Sequence, residues 1–205
     1  MTAADVNPFA TRYTRLGAID PLTEEGRPFD ASATLAQLAE AGGCGAFVGP
    51  HGSGKSTRLA ACAKAAADQG QQVQTIRLRR WRETLRVARA IALLPAGSLV
   101  CVDSLEVAGR FGAGRFGAGC LRRLARLRRV QLLATSHVPA GLPVLVCCRT
   151  SPALLERIVE QLPARGGSIA QGEIEEAFTA AGGNLREALF ALYDRAEARR
   201  SGRRS

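Results

Sequence analysis

Gly49-Pro50-His51-Gly52-Ser53-Gly54-Lys55-Ser56 decides how this chain is read. The octet has the form G-x-x-x-x-G-K-[ST], that of a phosphate-binding (Walker A) loop. Before it runs Cys44-Gly45-Ala46-Phe47-Val48, short and apolar as a buried strand should be. After it, Leu59, Ala60, Cys62, Ala63, Ala66 and Ala67 recur at helical spacing between Thr57 and Gln69. Strand, glycine loop and helix, in that order, is the context the motif requires.

Such a loop turns its backbone N–H groups inward and makes a concavity for anions. The helix that follows aims its unpaired N–H groups and the positive end of its dipole at the same point. Gly49, Gly52 and Gly54 allow close approach of the backbone to phosphates. Pro50, His51 and Ser53 fill variable positions of the motif, and His51 reads as an exposed loop residue. Lys55 reaches the outer phosphates as a point charge, and the Ser56 hydroxyl suits Mg²⁺. The nucleotide site expected from sequence therefore spans Gly49 to Thr57, with ATP and Mg²⁺ as its ligands.

A second signal lies about 50 residues on. Leu99-Val100-Cys101-Val102-Asp103 is a continuous apolar run that closes on an acid. A strand covered on both faces reads this way, and an apolar strand ending in Asp is the Walker B pattern. Its carboxylate would serve Mg²⁺ beside Ser56.

The rest of the chain sorts around these two motifs. Residues 1–30 look irregular. Ala31–Ala41 reads as a short helix, Gln72–Leu78 as a strand, and Trp81–Leu94 as a helix stopped by Pro95-Ala96-Gly97. The tandem repeat RFGAG-RFGAG at Arg110–Gly119 reads as a flexible basic loop with Phe111 and Phe116 at its tips, either a partner contact or a neutral duplication. Leu121–Arg129 is helical by pattern, and Val130–Ala134 and Pro143–Cys148 are strands. Five strands separated by helices predict an α/β fold with a parallel sheet. From Ser151 on no strand appears; three amphipathic helices form a small all-α module, and a basic tail, Arg199–Ser205, is expected to fray.

Composition bounds the function. With 46% hydrophobic residues the chain is not disordered. No apolar run approaches a membrane span and no signal-peptide pattern opens the chain, so a cytoplasmic protein is expected. The six Cys form no C-x-x-C pair, and Cys44, Cys101, Cys147 and Cys148 lie in apolar runs that read as strands, so buried reduced thiols are expected before disulfides or a metal site. The net charge of +10 is almost all Arg, concentrated in Arg77–Arg89 and Arg122–Arg129. These clusters are either solvated helix faces or groups that neutralise phosphates of a nucleic acid. Aromatic residues are too few for a stacking platform.

The order of elements resembles the additional-strand class of P-loop NTPases, and above all the AAA+ ATPases. The resemblance covers roughly residues 30–198. It implies a three-layer sandwich with a five-stranded parallel sheet in the order 5-1-4-3-2, and a C-terminal helical lid. The tip of the fourth strand, Thr135-Ser136-His137, falls where that family has its sensor 1, with Thr135 the first choice as the water-orienting residue and His137 the second. Gly182-Gly183-Asn184-Leu185-Arg186-Glu187-Ala188-Leu189 resembles the sensor 2 motif and implies that Arg186 reaches a phosphate. Asn184 suits an N-cap, and Glu187 completes a capping-box-like spacing.

Three departures from the family pattern stand out. Ser104 follows Asp103 where the family usually has the Glu that orients attacking water, and the nearest carboxylate is Glu106. Only about eight residues join the fourth and fifth strands, too few for the usual helix. Ser136–Pro143 holds no Arg to act as a finger, and Arg149 is a weakly supported substitute. No N-K-x-D and no L-S-G-G-Q occur, which argues against a GTPase and an ABC cassette. The expected organisation is an N-terminal segment (1–30), a P-loop domain (31–150), a helical lid (151–198) and a basic tail (199–205). The expected function is an Mg-ATP-binding ATPase that couples the nucleotide to lid movement on a nucleic-acid or protein partner, with Lys55, Glu106, Thr135 and Arg186 as catalytic groups. The other reading is a nucleotide-dependent switch or adaptor with little turnover.

Overall fold

The computed structural model of the chain describes residues 7, 9, 10, 19–109, 114–162 and 169–202. Two compact units emerge from the packing: one comprises Asp30–Gly49 and Lys55–Cys148, the other Pro50–Gly54, the segment up to Phe29 and the chain from Arg149 on.

The first unit is built on a five-stranded sheet: β1 (Cys44–Val48), β2 (Val73–Arg77), β3 (Leu99–Asp103), β4 (Gln131–Ser136) and β5 (Val144–Cys147). The strand order is β2-β3-β4-β1-β5 and every pairing is parallel. Taken from the other edge this is 5-1-4-3-2, the expected order. β1, β3 and β4 are almost wholly buried, as strands covered on both faces must be. Against the expectation of buried thiols, Cys120 and Cys147 are exposed, the latter on the edge strand β5.

Alternation along these strands sorts the core into two faces. Cys44, Ala46, Val48, Val100, Val102, Leu132 and Ala134 share one apolar cluster with Val87, Ile91, Leu121 and Ala125. Those partners come from α3 (Thr84–Leu93) and α4 (Gly114–Arg128), which pack on each other. The helices α1 (Ala31–Glu40) and α2 (Lys55–Asp68) also pack on each other and on the sheet. Two helices on each side make three layers.

Register brings the carboxyl ends of the central strands to one edge. Val48 of β1 lies opposite Ser136 of β4, and Arg77 of β2 lies opposite Asp103 of β3. That edge is where open parallel sheets bind ligands.

The RFGAG repeat departs from expectation. Arg110–Ala113 lie outside the described residues, but Gly114, the end of the first copy, and the whole second copy, Arg115–Gly119, are helical and form the start of α4. Glycine is a poor helix former; here the burial of Ala118 and Leu121 against the sheet overrides that preference. The segment from β4 to β5 (137–143) carries no helix, as its length predicted.

The second unit has its own core. Leu154, Leu155 and Val159 of α5 (Pro152–Glu160), Ile174 and Ala177 of α6 (Gln171–Ala180), and Leu185, Ala188 and Leu192 of α7 (Leu185–Gly202) close on one another. Phe9 joins them at 2% exposure. Asn7 pins that segment in place: its Nδ2 donates to Tyr193 O at 3.1 Å and to Glu197 Oε2 at 3.0 Å. The tail expected to fray is helical as far as Gly202; Pro163, Gly166, Gly167 and residues 203–205 lie outside the described residues. No described helix is long and apolar enough to cross a membrane.

Candidate functional site

The first unit gathers most of the expected site residues at the carboxyl edge of β1, β3 and β4. Lys55, the first residue of α2, is 6% exposed. Its Nζ donates to Gly49 O at 2.7 Å and lies 3.4 Å from His137 Nδ1. Burial pushes its pKa below the ordinary 10.5, against the weaker pull of Cys148, Glu106 and Asp103 in the other direction. A cation held in this way is strongly favoured by any anion that reaches it.

Next along α2, Ser56 Oγ donates to Asp103 Oδ1 at 2.8 Å. Thr135 Oγ1 donates to the same oxygen at 2.7 Å, and Arg77 Nε stands 3.4 Å from Asp103 Oδ2. Mg²⁺ fits this donor set. It takes one or two carboxylates and fills the remaining octahedral positions with phosphate oxygens and water. Two oxygens 2.8 Å apart match an octahedral edge, which is roughly 2.9 Å for metal–oxygen bonds near 2.1 Å.

Thr135 is 1% exposed and its hydroxyl is used twice, because it also accepts the Ser104 N–H at 2.9 Å. It therefore braces Asp103 and the turn after β3, whereas the sequence pointed to a water-orienting role. His137, the second choice, is the tip residue that faces the Lys55 ammonium.

The turn after β3 answers the question raised by Ser104. Its φ of 67° reverses the chain into the short 3₁₀ turn Leu105–Gly109. Glu106 is thereby carried back to His137, with Oε1 3.3 Å from Nε2. Its other oxygen, Oε2, is buried and has no hydrogen-bond partner among the described residues. A buried carboxylate oxygen left in that state is costly, and it is the position from which a water could be held.

Loop residues Pro50–Gly54 belong to the second unit. Ser53, at 1% exposure, ties the loop by donating to Pro50 O at 2.9 Å. Gly52 and Gly54 have φ of 72° and 80°, the left-handed region that disfavours other residues. Among the described residues, chain neighbours aside, no atom lies within 4 Å of where a Gly54 side chain would begin. Among the described residues the N–H groups of Gly52, Ser53 and Gly54 make no backbone hydrogen bond. Open space and unspent donors are what a phosphate needs.

In the same unit Asn184 caps α7: its Oδ1 accepts from Arg186 N at 3.1 Å and Glu187 N at 3.4 Å. The reciprocal half of the capping box is not made, because Asn184 N donates to Ala181 O. Arg186 is exposed in the first turn of α7 and has no ion-pair partner among the described residues.

One buried group escaped the sequence reading. Arg58, 3% exposed on α2, points Nη1 at Cys148 Sγ across 3.2 Å. An Arg within an alanine-rich helix carries no periodic signal that distinguishes a buried from a solvated position.

Solved structures share this architecture. The Aeropyrum pernix Orc1 protein in complex with DNA matches with a TM-score of 0.62 at 16% identity, over 97% of this chain and 64% of that one. The replication initiator DnaA bound to AMPPCP and single-stranded DNA matches at 0.58 and 13% identity, over 78% and 58%. The Thermotoga maritima RuvB Holliday junction branch migration motor matches at 0.50 and 14%, over 79% and 58%. The chain has the fold of an AAA+ ATPase. It spans less than two thirds of the length of these AAA+ structures. No family model matches the sequence, and no curated protein does. Within that fold the chain carries the glycine loop, a buried strand that closes on Asp103 and is followed by Ser104, and the helical module.

Proposed function

We propose that this chain binds Mg-ATP at Gly49–Thr57 and couples its binding and hydrolysis to movement of the helical lid, on a nucleic-acid or protein partner. One observation carries the reading: Ser56 Oγ and Asp103 Oδ1, 47 residues apart in sequence, meet at 2.8 Å. Mg²⁺, when bound, withdraws electron density from the phosphate oxygens it touches.

The chain's own residues take the remaining roles. Lys55 leaves Gly49 O and neutralises the outer phosphates. Ser56 and Asp103 hold the metal, with Thr135 fixing the orientation of Asp103. Glu106 holds the attacking water through its unpaired oxygen and takes its proton, oriented by His137. Arg186, two residues beyond the cap of α7, neutralises phosphate charge from the helical unit. The solved AAA+ neighbours bound to DNA or to AMPPCP support the nucleotide and nucleic-acid parts of this reading.

Ser104 in the place of the usual Glu favours the second reading, a nucleotide-dependent switch without turnover. Calorimetric titration with Mg-ATP tests binding: wild type should bind and Lys55→Ala should not. Steady-state hydrolysis then separates the readings. Loss of turnover in Glu106→Gln supports the ATPase, while equal inertness of both proteins with binding retained leaves the switch.

A further inference from the structure

The positive charge of this chain is not spread over it. Arg77–Arg89 and Arg115–Arg129 together hold twelve Arg and a single acid, Glu83. The remainder of the chain holds sixteen basic and seventeen acidic residues. The whole excess of +10 therefore resides in two segments.

The fold brings these segments together. α3 and α4 lie side by side on one face of the sheet, with Val87, Ala90 and Ile91, and Leu121 and Ala125, turned inward. Their outer sides thus face the same solvent. Arg82, Arg86 and Arg89, spaced four and three residues apart, line the exposed side of the 3₁₀ turn and α3; Arg123 lines that of α4, with Arg126 beside it and its guanidinium turned toward Gly42. Packed helices stand about 8–10 Å apart, within the roughly 6–12 Å widths of the grooves between duplex phosphate rows.

Little on this layer offsets the charge. Glu83 accepts the N–H groups of Arg79 at 2.6 Å and Arg80 at 3.2 Å, and reaches Arg86 only at 4.0 Å. Arg77 is turned to Asp103, so it belongs to the nucleotide site and not to this layer.

We infer that the outer layer of α3 and α4 is a docking surface for the phosphate backbone of a nucleic-acid duplex, read by charge and not by base sequence. The two segments carry no Asn or Gln for base edges. Trp81 is 47% exposed and engaged with Arg82, 5.7 Å from guanidinium to ring centroid, so it offers a single ring where a single strand needs successive stacking partners. An anionic membrane fits less well: Arg86 and Arg89 stand between the exposed Leu85 and Leu93 on α3, and on α4 the exposed Leu127 is flanked by Arg126 and Arg128. The inference deepens the partner side of the proposed function and rests on that reading for its use.

Fluorescence anisotropy with a labelled mixed-sequence duplex, nucleotide omitted, tests it without involving the ATP site. Wild type should bind, and affinity should fall on the order of a hundredfold between about 50 and 200 mM salt, as expected when about four phosphates are neutralised. The triple variant Arg82→Gln/Arg86→Gln/Arg89→Gln should lose at least about tenfold at low salt. It should also flatten the salt slope by about two to three, at roughly 0.9 for each phosphate left without its Arg. Arg123→Gln/Arg126→Gln, on the neighbouring helix, should act in the same direction. The off-surface triple Arg27→Gln/Lys64→Gln/Arg157→Gln, equal in charge removed, should leave binding within about twofold. The inference is overturned by equal losses in both triples, by absent duplex binding, by preference for phosphatidylserine vesicles, or by preference for a single strand that Trp81→Ala abolishes.

Discussion

Asn184 Oδ1 occupies the space into which a side chain on Gly52 would grow, and Leu185 N closes the same space at 3.2 Å. The cap of α7 and the phosphate loop thus depend on each other. Gly52→Ala must place a β-carbon at φ 72° as well as against Asn184. The backbone strain alone costs about 1–2 kcal/mol. We expect a clear fall in Tm and weakened nucleotide binding. Asn184→Gly removes the obstacle at a cost of a few tenths of a kcal/mol for the cap. In a double-mutant cycle it should therefore return part of the loss, and strict additivity of the two changes would refute the dependence.

The hydroxyl of Thr135 serves two partners, Asp103 Oδ1 and Ser104 N. Thr135→Val keeps the shape and removes both bonds, leaving the part-buried Ser104 N–H without its acceptor and a carboxylate short of a donor. About 1–3 kcal/mol of stability should be lost. Because Asp103 then loses one of the two hydroxyl donors that fix its Oδ1, Mg-dependent nucleotide affinity should fall more than Mg-free affinity. Thr135→Ser should restore both. Denaturant unfolding and titrations with and without EDTA measure the two effects; a uniform drop with and without metal would mean that Thr135 does not position Asp103.

Lys55 gives the site a defined pH dependence. Burial is the largest influence and lowers its pKa from 10.5, so the free protein sheds this proton earlier than an exposed lysine would. A bound triphosphate favours the charged form and raises the pKa again. Affinity for Mg-ATP should then be flat near neutrality and fall as pH climbs through the free-state pKa, by up to about tenfold per pH unit. Binding in that window takes up a proton, so the apparent heat should vary with the ionisation enthalpy of the buffer. For the unliganded protein the sign is opposite: the folded state binds the proton less tightly than the unfolded state, so stability rises between the lowered pKa and 10.5. An affinity profile that stays flat all the way up to the ordinary lysine value of 10.5 would contradict this account of Lys55.

How far these properties were legible depended on how local they are. The loop, the strand ending at Asp103 and the five apolar runs are written in contiguous residues, so strand order followed once the family resemblance was drawn. The place of Phe9 was not legible. One aromatic in a stretch rich in Thr and Pro has no period, and only the closed core shows that it is buried. The helical start of α4 runs against the sequence pattern because glycine propensity opposes it and packing of Ala118 and Leu121 decides it. Thr135 and His137 are near neighbours on one strand tip, yet one turns to Asp103 and the other to Lys55. Thr135 lies within β4, beside Asp103 of the neighbouring β3, whereas His137 lies just past the end of β4, and neither placement is visible in a list of polar residues.

Glu106 and His137 form the pair on which turnover would depend. His137 Nδ1 lies near Gly49 O and Lys55 Nζ, at 3.2 and 3.4 Å, while Nε2 faces Glu106 Oε1 at 3.3 Å. The ring therefore links the Lys55 ammonium to the carboxylate. His137→Ala should free Glu106 to swing and should reduce kcat, on the order of tenfold for a positioning interaction worth about 1.4 kcal/mol. KM should change little, because Lys55 and the loop proposed to hold the phosphates are left in place. Glu106→Gln keeps the shape, removes the base, and should cost about a hundredfold or more in kcat. Combining the two substitutions should cost no more than Glu106→Gln alone, since a ring that positions the carboxylate has nothing left to position. A double variant that loses the product of both factors would show that His137 acts on the reaction independently of Glu106.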